Sequence, residues 1–219
     1  MDDHVCNSIV IDSTHCISQL CLICGQIGSD KSVLRTGKDG HRHPYSVPYT
    51  LLLETLRNKP IKFLELGVYR GLSLCCWREY FPKANLYGYD IDEDSLQRIP
   101  KLPKTTIRNV DVSKKTSLVE ALTLDTADGE LFDVILDDAD HNVGSQILLI
   151  QNALPFLKSG GLLIIEDILR GQAETDHESA IRYAIENDLI SFYTFIICDH
   201  KDRYSPGWDN DKVLVMVRK

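Results

Sequence analysis

From residue 61 onward, apolar segments of strand length alternate with segments of helix length, and this alternation constrains the fold more than any other feature. It predicts an α/β protein with a mostly parallel sheet and helices on both faces. Because the polar, turn-rich segment 199–211 joins the last two strands, we expect them to pair antiparallel and close a seven-stranded sheet. Strands are predicted at 61–66, 85–89, 105–110, 131–136, 161–165, 190–198 and 212–217, and helices at 72–80, 93–99, 115–124, 143–157 and 174–187.

The first 58 residues are predicted to form an N-terminal helical cap with a lid loop, ahead of one α/β domain at 59–219. Residues 1–25 are predicted as a helix, 26–48 as a loop and 49–58 as a helix ending before Pro60. Cys21 and Cys24 raise the alternative of a zinc site. No second tight ligand pair follows at the usual spacing, so we interpret both as small hydrophobes on the inner face of the cap helix.

The composition of the chain argues against two classes of partner, nucleic acids and membranes. The 219 residues carry a net charge of −8 without a Lys/Arg cluster, which argues against nucleic acid as the main partner. No apolar run is long enough to span a bilayer, and the acidic start at Asp2 and Asp3 is unlike a signal peptide. We therefore expect a cytoplasmic protein with no membrane partner, whose seven scattered cysteines are reduced.

The first predicted strand runs directly into the motif E-L-G-V-Y-R-G at residues 65–71. Gly67 and Gly71 would let the backbone approach a ligand closely, and the following helix would present its N-terminus to it. Alone, this pattern is compatible with any nucleoside cofactor. Its significance depends on the residues that end the later strands.

Carboxylates end each of the first five predicted strands, where ligands bind in an open parallel sheet. Asp90 follows Gly71 by 19 residues, close to the spacing of about 20 expected for an acid that binds ribose hydroxyls. Asp111, before Ser113, is explained equally well as a helix cap or turn residue. The acids are Glu65, Asp90, Asp111, the pair Asp137-Asp138 and the pair Glu166-Asp167.

The glycine spacing differs from the dinucleotide fingerprint G-x-G-x-x-G. A carboxylate at Glu65 would repel a pyrophosphate but would suit the cationic amino-acid part of S-adenosylmethionine. This argument disfavours a nicotinamide-dependent oxidoreductase and favours S-adenosylmethionine as the cofactor.

Five segments together resemble the class I S-adenosylmethionine-dependent methyltransferases over roughly residues 60–219. The resemblance implies a Rossmann-like fold. It also implies contacts of Glu65, Gly67 and Gly71 with the methionyl part, of Asp90 with the ribose, of Asp111 or its neighbour with the adenine, and of Asp137 with the methionyl amine. The segments are E-L-G-V-Y-R-G at 65–71, Y-G-Y-D-I-D at 87–92, N-V-D-V at 109–112, F-D-V-I-L-D-D at 132–138 and L-K-S-G-G at 157–161.

More narrowly, the chain resembles the metal-dependent sugar O-methyltransferases of macrolide biosynthesis, of the macrocin and mycinamicin type. The similar segments are G-S-D-K at 28–31 with His43 and Tyr45, D-D-A-D-H at 137–141, E-D at 166–167 and W-D-N-D-K-V-L-V at 208–215. One departure is Ala139-Asp140, where the family has Gly-Ser. The resemblance implies a sugar-like acceptor and assembly into a homo-oligomer.

The same resemblance implies Mg²⁺ held by Asp138, Glu166 and Asp167, an all-oxygen set that suits this ion. A cation there would stabilise a developing alkoxide. His141 is the candidate general base, with Asp138 as its catalytic neighbour. The structural alternatives are that Glu166-Asp167 caps the next helix and that His141 only bonds backbone at a helix start.

Two other functions remain open. One is a catechol-type O-methyltransferase acting on a phenol, although only 8% of the residues are aromatic. The other is an S-adenosylmethionine-binding protein without turnover, which the change to Ala139-Asp140 would support. His41 and His43 are assigned no role.

Overall fold

The computed structural model describes residues 8–36 and 40–219, so that predictions for residues 1–7 and 37–39 lie outside the described residues. The α-helices are α1 (Gln19–Ile27), α2 (Ser46–Leu53), α3 (Leu72–Tyr80), α4 (Glu93–Leu96), α5 (Lys115–Asp125), α6 (Val143–Ala153) and α7 (Glu178–Glu186). The strands are β1 (Ser8–Asp12), β2 (Lys62–Leu66), β3 (Asn85–Asp90), β4 (Thr105–Asn109), β5 (Phe132–Asp137), β6 (Leu157–Ile168), β7 (Ile190–Asp199) and β8 (Lys212–Arg218). Short 3-10 turns lie at Glu54–Leu56, Leu154–Phe156 and Glu174–His177.

The strands form one sheet in the order β1-β7-β8-β6-β5-β2-β3-β4. All neighbouring pairs are parallel except those of β8, which runs antiparallel to both β6 and β7 as the turn-rich connection predicts. After β2 the chain adds β3 and β4 on one side, and β5 and β6 then add on the other. The strand order therefore reverses between β2 and β5, and ligands bind at such a switch point.

The prediction of seven strands is wrong, because the described part of the sheet has eight. The extra strand, β1, lies in the segment that we expected to be a cap helix. Its β-branched run Ile9-Val10-Ile11 pairs parallel with β7, with Ile9 opposite Ile196. The helix α1 begins only at Gln19, after the N-cap Ser18. Similarly, α2 begins at Ser46 and ends at Leu53, earlier than the predicted helix at 49–58.

Helices cover both faces of the sheet, as predicted. One apolar core contains residues of α1, α2 and α3, such as Leu20, Tyr49 and Trp77. The other contains residues of α5, α6 and α7, such as Leu118 and Leu149. Cys21 and Cys24 are buried in α1, which agrees with their interpretation as small hydrophobes. In the described ranges, no helix combines the length and apolarity needed to cross a membrane.

Candidate active site

At Gly67 the loops that follow β2 and β5 meet. Its backbone is left-handed, with a φ of +83°, and its N–H donates to the carbonyl of Tyr89 at 2.7 Å. A Cβ at this position would lie 1.9 Å from the carbonyl oxygen of Asp138. Only glycine lets the two loops come this close, and three lobes of a surface cleft adjoin at this residue.

The first lobe, of about 330 Å³, lies over the ends of β3 and β4. Gly67, Asp90 and Asp111 line it together with apolar residues that include Ile91 and Val110. The Asp90 carboxylate accepts from the backbone N–H of Tyr69 at 2.7 Å and therefore fixes the glycine loop. Asp111 accepts hydrogen bonds from the backbone N–H and the hydroxyl of Ser113. The N-cap of α5 is Lys114, so Asp111 is a turn residue and not the helix cap.

The second lobe, of about 160 Å³, lies between the loop after α1 and the start of α3. Residues of both segments line it, among them Asp30, Arg35 and Ser73. Gly71 is the N-cap of α3 and has a φ of +78°, a conformation that glycine adopts without strain.

Glu65 and Asp137 lie beneath this cleft rather than along it. Glu65 is fully buried and accepts from the hydroxyl of Ser73 at 2.7 Å. Burial raises the pKa of Glu65 to about 7, although the charge of Lys31 opposes the rise. Burial and the charge of Asp138 likewise raise the pKa of Asp137 to about 7. Of the predicted cofactor residues, three line the cleft, one starts α3 and two are buried beneath: Gly67, Asp90 and Asp111; Gly71; Glu65 and Asp137.

The third lobe, of about 350 Å³, is lined by Asp138 and Asp167, and Glu166 is buried beside them. We term these three carboxylates the acid corner. Adjacent strand residues normally point to opposite faces, but the β6–β8 register shifts between Ile165 and Ile168. Within this bulge Asp167 has a φ of +57°. A bulge redirects side chains, which explains how Glu166 and Asp167 both contact residues of the N-terminal segment. The lobe is lined by Asp30, His41, His43, Gly67, Tyr69, Asp138, His141, Asp167, Trp208 and Asn210.

Each carboxylate of the acid corner is held by buried donors. The two oxygens of Glu166 accept from the hydroxyl of Tyr49 and from the ammonium of Lys31. Asp167 uses Oδ1 to accept from Tyr45 Oη and Asn210 Nδ2, both at 2.7 Å. These bonds show that Glu166-Asp167 does not cap the next helix, as one alternative had it, since the following helical turn begins only at Glu174.

The imidazole of His141 lies near the carboxylates of Asp138 and Asp167. Its Nε2 lies 3.3 Å from Asp167 Oδ2 and 3.6 Å from Asp138 Oδ1. One ligand atom from each of these three residues lies within 4.8 Å of the others. Burial lowers the pKa of His141, but the neighbouring carboxylates of Asp138 and Asp167 together raise it to about 9. Asn142 is the N-cap of α6, so His141 does not serve as the cap.

Lys31 is the cation at the centre of this corner. Its Nζ lies 2.5 Å from both Asp138 Oδ2 and Glu166 Oε2, and its side chain is 2% exposed. Burial alone would lower the pKa of Lys31, yet the charges of Asp138 and Glu166 hold it well above its ordinary value. For Asp138, burial raises the pKa, but Lys31 and His141 lower it below its usual range. Burial raises the pKa of Glu166, and Lys31 opposes this rise.

Sequence reasoning assigned no role to Lys31, Tyr45, Tyr49 or Asn210. Tyr45 and Tyr49 are four residues apart on α2 and its N-cap, a spacing that places both on one helix face. His43, also without a predicted role, bonds through Nδ1 to Asp211 Oδ1 at 2.7 Å beside the lobe. Asp140 accepts from the hydroxyl of Ser145 at 2.6 Å and therefore supports the start of α6 rather than His141.

Comparisons with known proteins support the predicted class and fold. Residues 64–168 match the family model described as a methyltransferase domain, which agrees with the predicted class. The fold aligns with MycE, a methyltransferase from the mycinamycin biosynthetic pathway solved in complex with Mg and SAH, with a TM-score of 0.66 and 20% identity. This alignment covers 92% of the chain and 55% of MycE and confirms the Rossmann-like methyltransferase fold.

The resemblance to the macrocin and mycinamicin type is also confirmed. The mycinamicin VI 2''-O-methyltransferase of Micromonospora griseorubida is 26% identical over 210 residues, which are 87% of this chain and 51% of that protein. A rhamnosyl tetracenomycin-C 2'-O-methyltransferase of Streptomyces olivaceus is 26% identical over 171 residues, 74% of this chain and 42% of that protein. The chain thus spans about half the length of these curated relatives, or less.

Proposed function

We propose that this protein transfers the methyl group of S-adenosylmethionine to a hydroxyl of a sugar or a sugar-containing small molecule, with the assistance of a divalent cation. The observation that carries the proposal is the junction at Gly67. There the lobe that contains Asp90 adjoins the lobe that contains Asp138 and His141. A cofactor in the first lobe could thus present its methyl group to an acceptor in the third.

The proposed roles of the cofactor residues follow from their positions. Asp90 accepts hydrogen bonds from the ribose diol, and the apolar wall at Ile91 and Val110 covers the adenine beside Asp111. The methionyl part extends past Gly67 toward Gly71 and the second lobe. Glu65 and Asp137 lie beneath it, and burial raises the pKa of each to about 7. A cationic amine and sulfonium above them would favour their ionised forms.

We propose the acid corner as the cation site, with Asp138, Glu166 and Asp167 as its oxygen donors. The donor set suits a cation, because Asp138 and Asp167 line the lobe and Glu166 shares with Asp138 the position that Lys31 Nζ occupies. Tyr45 and Tyr49 bond the other oxygens of Asp167 and Glu166 and hold these two carboxylates in place. Oxygen-only sets favour Mg²⁺ or Mn²⁺. When bound, such a cation would act as a Lewis acid toward an acceptor hydroxyl.

His141 is the proposed general base. Asp138 and Asp167 raise its pKa to about 9 and so favour a proton on Nε2, which must leave before Nε2 can accept the proton of the acceptor hydroxyl. A divalent cation held by the same acids would lower this pKa. Asp138 and Asp167 orient the imidazole. Tyr69, His141 and Asp167 all have left-handed backbone, with φ values of 44°, 55° and 57°, and all line the third lobe. Strained conformations of this kind are concentrated at functional sites, where the surrounding structure holds them. Alignment of acceptor and methyl group then supplies much of the rate enhancement.

The test is methyl transfer from isotopically labelled S-adenosylmethionine in the presence of Mg²⁺. The acceptors are glycosylated polyketides such as mycinamicin VI, the matching sugar-free aglycones, and a catechol. We expect a labelled methyl group on the sugar of a glycosylated acceptor, and loss of transfer on chelation. Transfer only to the catechol would favour the phenol-methylating alternative. Binding of S-adenosylhomocysteine without transfer to any acceptor would favour a non-catalytic protein.

A further inference from the structure

The proposed mechanism leaves Lys31 without a role, although its ammonium occupies the centre of the acid corner. Two carboxylates, those of Asp138 and Glu166, contact the same Nζ at 2.5 Å each. Any cation that both oxygens ligate must occupy nearly the same space. The lysine and a divalent cation held by Asp138 and Glu166 therefore exclude each other sterically and repel each other electrostatically.

A second acceptor for the ammonium lies close by. Glu65 Oε1 is buried and accepts no hydrogen bond of good geometry among the described residues, although the indole of Trp77 lies near enough to lower the pKa of Glu65. It lies 3.5 Å from Lys31 Nζ, just beyond a good hydrogen bond. A buried acceptor left without a donor is costly, so a small movement of the ammonium toward Glu65 would satisfy it.

The backbone around Lys31 is fixed while its side chain is long. The carbonyl of Lys31 accepts from the backbone N–H of Ser46 at 3.0 Å, and Gly28 ends α1 with a left-handed C-cap. A four-carbon stem on this anchor can shift its ammonium by an ångström or so without displacing the loop.

From this geometry we propose that Lys31 is a two-position cation, and the inference rests on the proposed divalent-cation site. Without the divalent cation its ammonium bridges Asp138 and Glu166 and holds these side chains in place. When a divalent cation takes those two oxygens, the ammonium moves to Glu65 Oε1. Lys31 is thus a positioning residue that sets the affinity of the corner for the cation and connects the corner to the strand beneath the glycine loop.

The first test is Mn²⁺ binding, measured by calorimetry without cofactor or acceptor. Lys31→Met removes the competing charge and should bind Mn²⁺ at least about tenfold more tightly. Glu65→Gln weakens the second position and should bind Mn²⁺ several-fold more weakly in the wild-type background, but not in Lys31→Met. Lys62→Met is the matched control, because Lys62 is also buried but bonds Asp128 at the opposite end of β2. It should bind Mn²⁺ like wild type.

Unchanged or weaker Mn²⁺ binding by folded Lys31→Met would overturn the proposal, as would an equal effect of Glu65→Gln in both backgrounds. If Lys31→Met does not fold, crystals of the wild-type protein with Mn²⁺ alone decide. Lys31 Nζ should then bond Glu65 Oε1, whereas a lysine that still bridges Asp138 and Glu166 would refute the inference. Calorimetry of S-adenosylhomocysteine on the same wild-type protein tests the proposed cofactor site separately.

Discussion

Gly67→Ala tests whether the close contact between the two loops builds the cleft. The added Cβ would lie 1.9 Å from the carbonyl oxygen of Asp138 and 2.6 Å from the Cα of Ala139, and real Cβ contacts essentially never fall below 3.0 Å. All the nearest atoms are backbone, so no side-chain rotation relieves the clash. The loop that carries Asp138 and His141 must therefore retreat by about 1 Å.

Gly129→Ala is a closely matched control, because it has the same φ of +83° but nothing within 4 Å of its added Cβ. Left-handed backbone alone costs an L-residue about 1–2 kcal/mol, which both variants should lose. For a chain of this size each kcal/mol corresponds to a Tm decrease of about 2–4 °C. Gly67→Ala should lose more than the control, because it also carries the backbone clash.

The two variants should differ most in ligand binding. Gly129→Ala should bind S-adenosylhomocysteine like wild type in calorimetry, whereas Gly67→Ala should bind it at least about tenfold more weakly. Its methyl transfer should decrease by about 100-fold or more, since a 1 Å misplacement of reacting groups has that effect. Equal Tm and equal cofactor affinity in the two variants would refute the reasoning.

Three further predictions concern single side chains. Asp90→Ala should weaken S-adenosylhomocysteine binding, whereas Asp138→Ala should abolish cation-dependent transfer and retain cofactor affinity. An equal loss of cofactor affinity in both variants, measured by calorimetry, would contradict these separate roles. Burial lowers the pKa of His43, but the hydrogen bond to Asp211 and the charges of neighbouring carboxylates together outweigh burial, so the folded-state pKa lies above 6.5. The contribution of this bond to stability is therefore complete below pH 6.5 and is lost as the pH rises through the folded-state pKa. The difference in unfolding free energy between wild type and His43→Gln should accordingly shrink between pH 6 and pH 9 in urea titrations, and a difference that grows would be the wrong sign. Trp208→Ala, at an exposed position on the third lobe, should raise the KM for the acceptor roughly tenfold and leave cofactor affinity unchanged; an unchanged KM would remove Trp208 from the acceptor site.

The sheet and its ligand edge were predictable because they depend on short-range pattern. The alternation of apolar strands and helices predicted seven of the strands. Their predicted bounds agree with the structure within a few residues, except that β6 is longer than predicted and extends over Leu157–Ile168. The acids at the ends of those strands had to meet at one edge, since parallel strands share it. The convergence of Asp138 and Asp167 follows from this rule.

The contribution of the N-terminal segment was not predictable in the same way. The strand β1 is five residues long, lies at the sheet edge and pairs with β7, 187 residues further along the chain, as in the pair Ser8–Phe195. Lys31 reaches Asp138 across 107 residues and Glu166 across 135. Such contacts leave no local periodicity, and a lysine in a polar loop is expected to be solvated. The bulge at Asp167 was also not predictable from the sequence, because nothing in Ile165-Glu166-Asp167 indicates an extra residue in the strand.

The central claim is that the cofactor and the cation bind on either side of Gly67. A crystal structure of the protein with S-adenosylhomocysteine and Mn²⁺, using the anomalous signal of manganese, tests it most directly. We predict the ribose at Asp90, the sulfur beside Gly67 and the manganese at the acid corner. Nucleoside density elsewhere on the protein, or manganese away from Asp138, Glu166 and Asp167, would contradict the account.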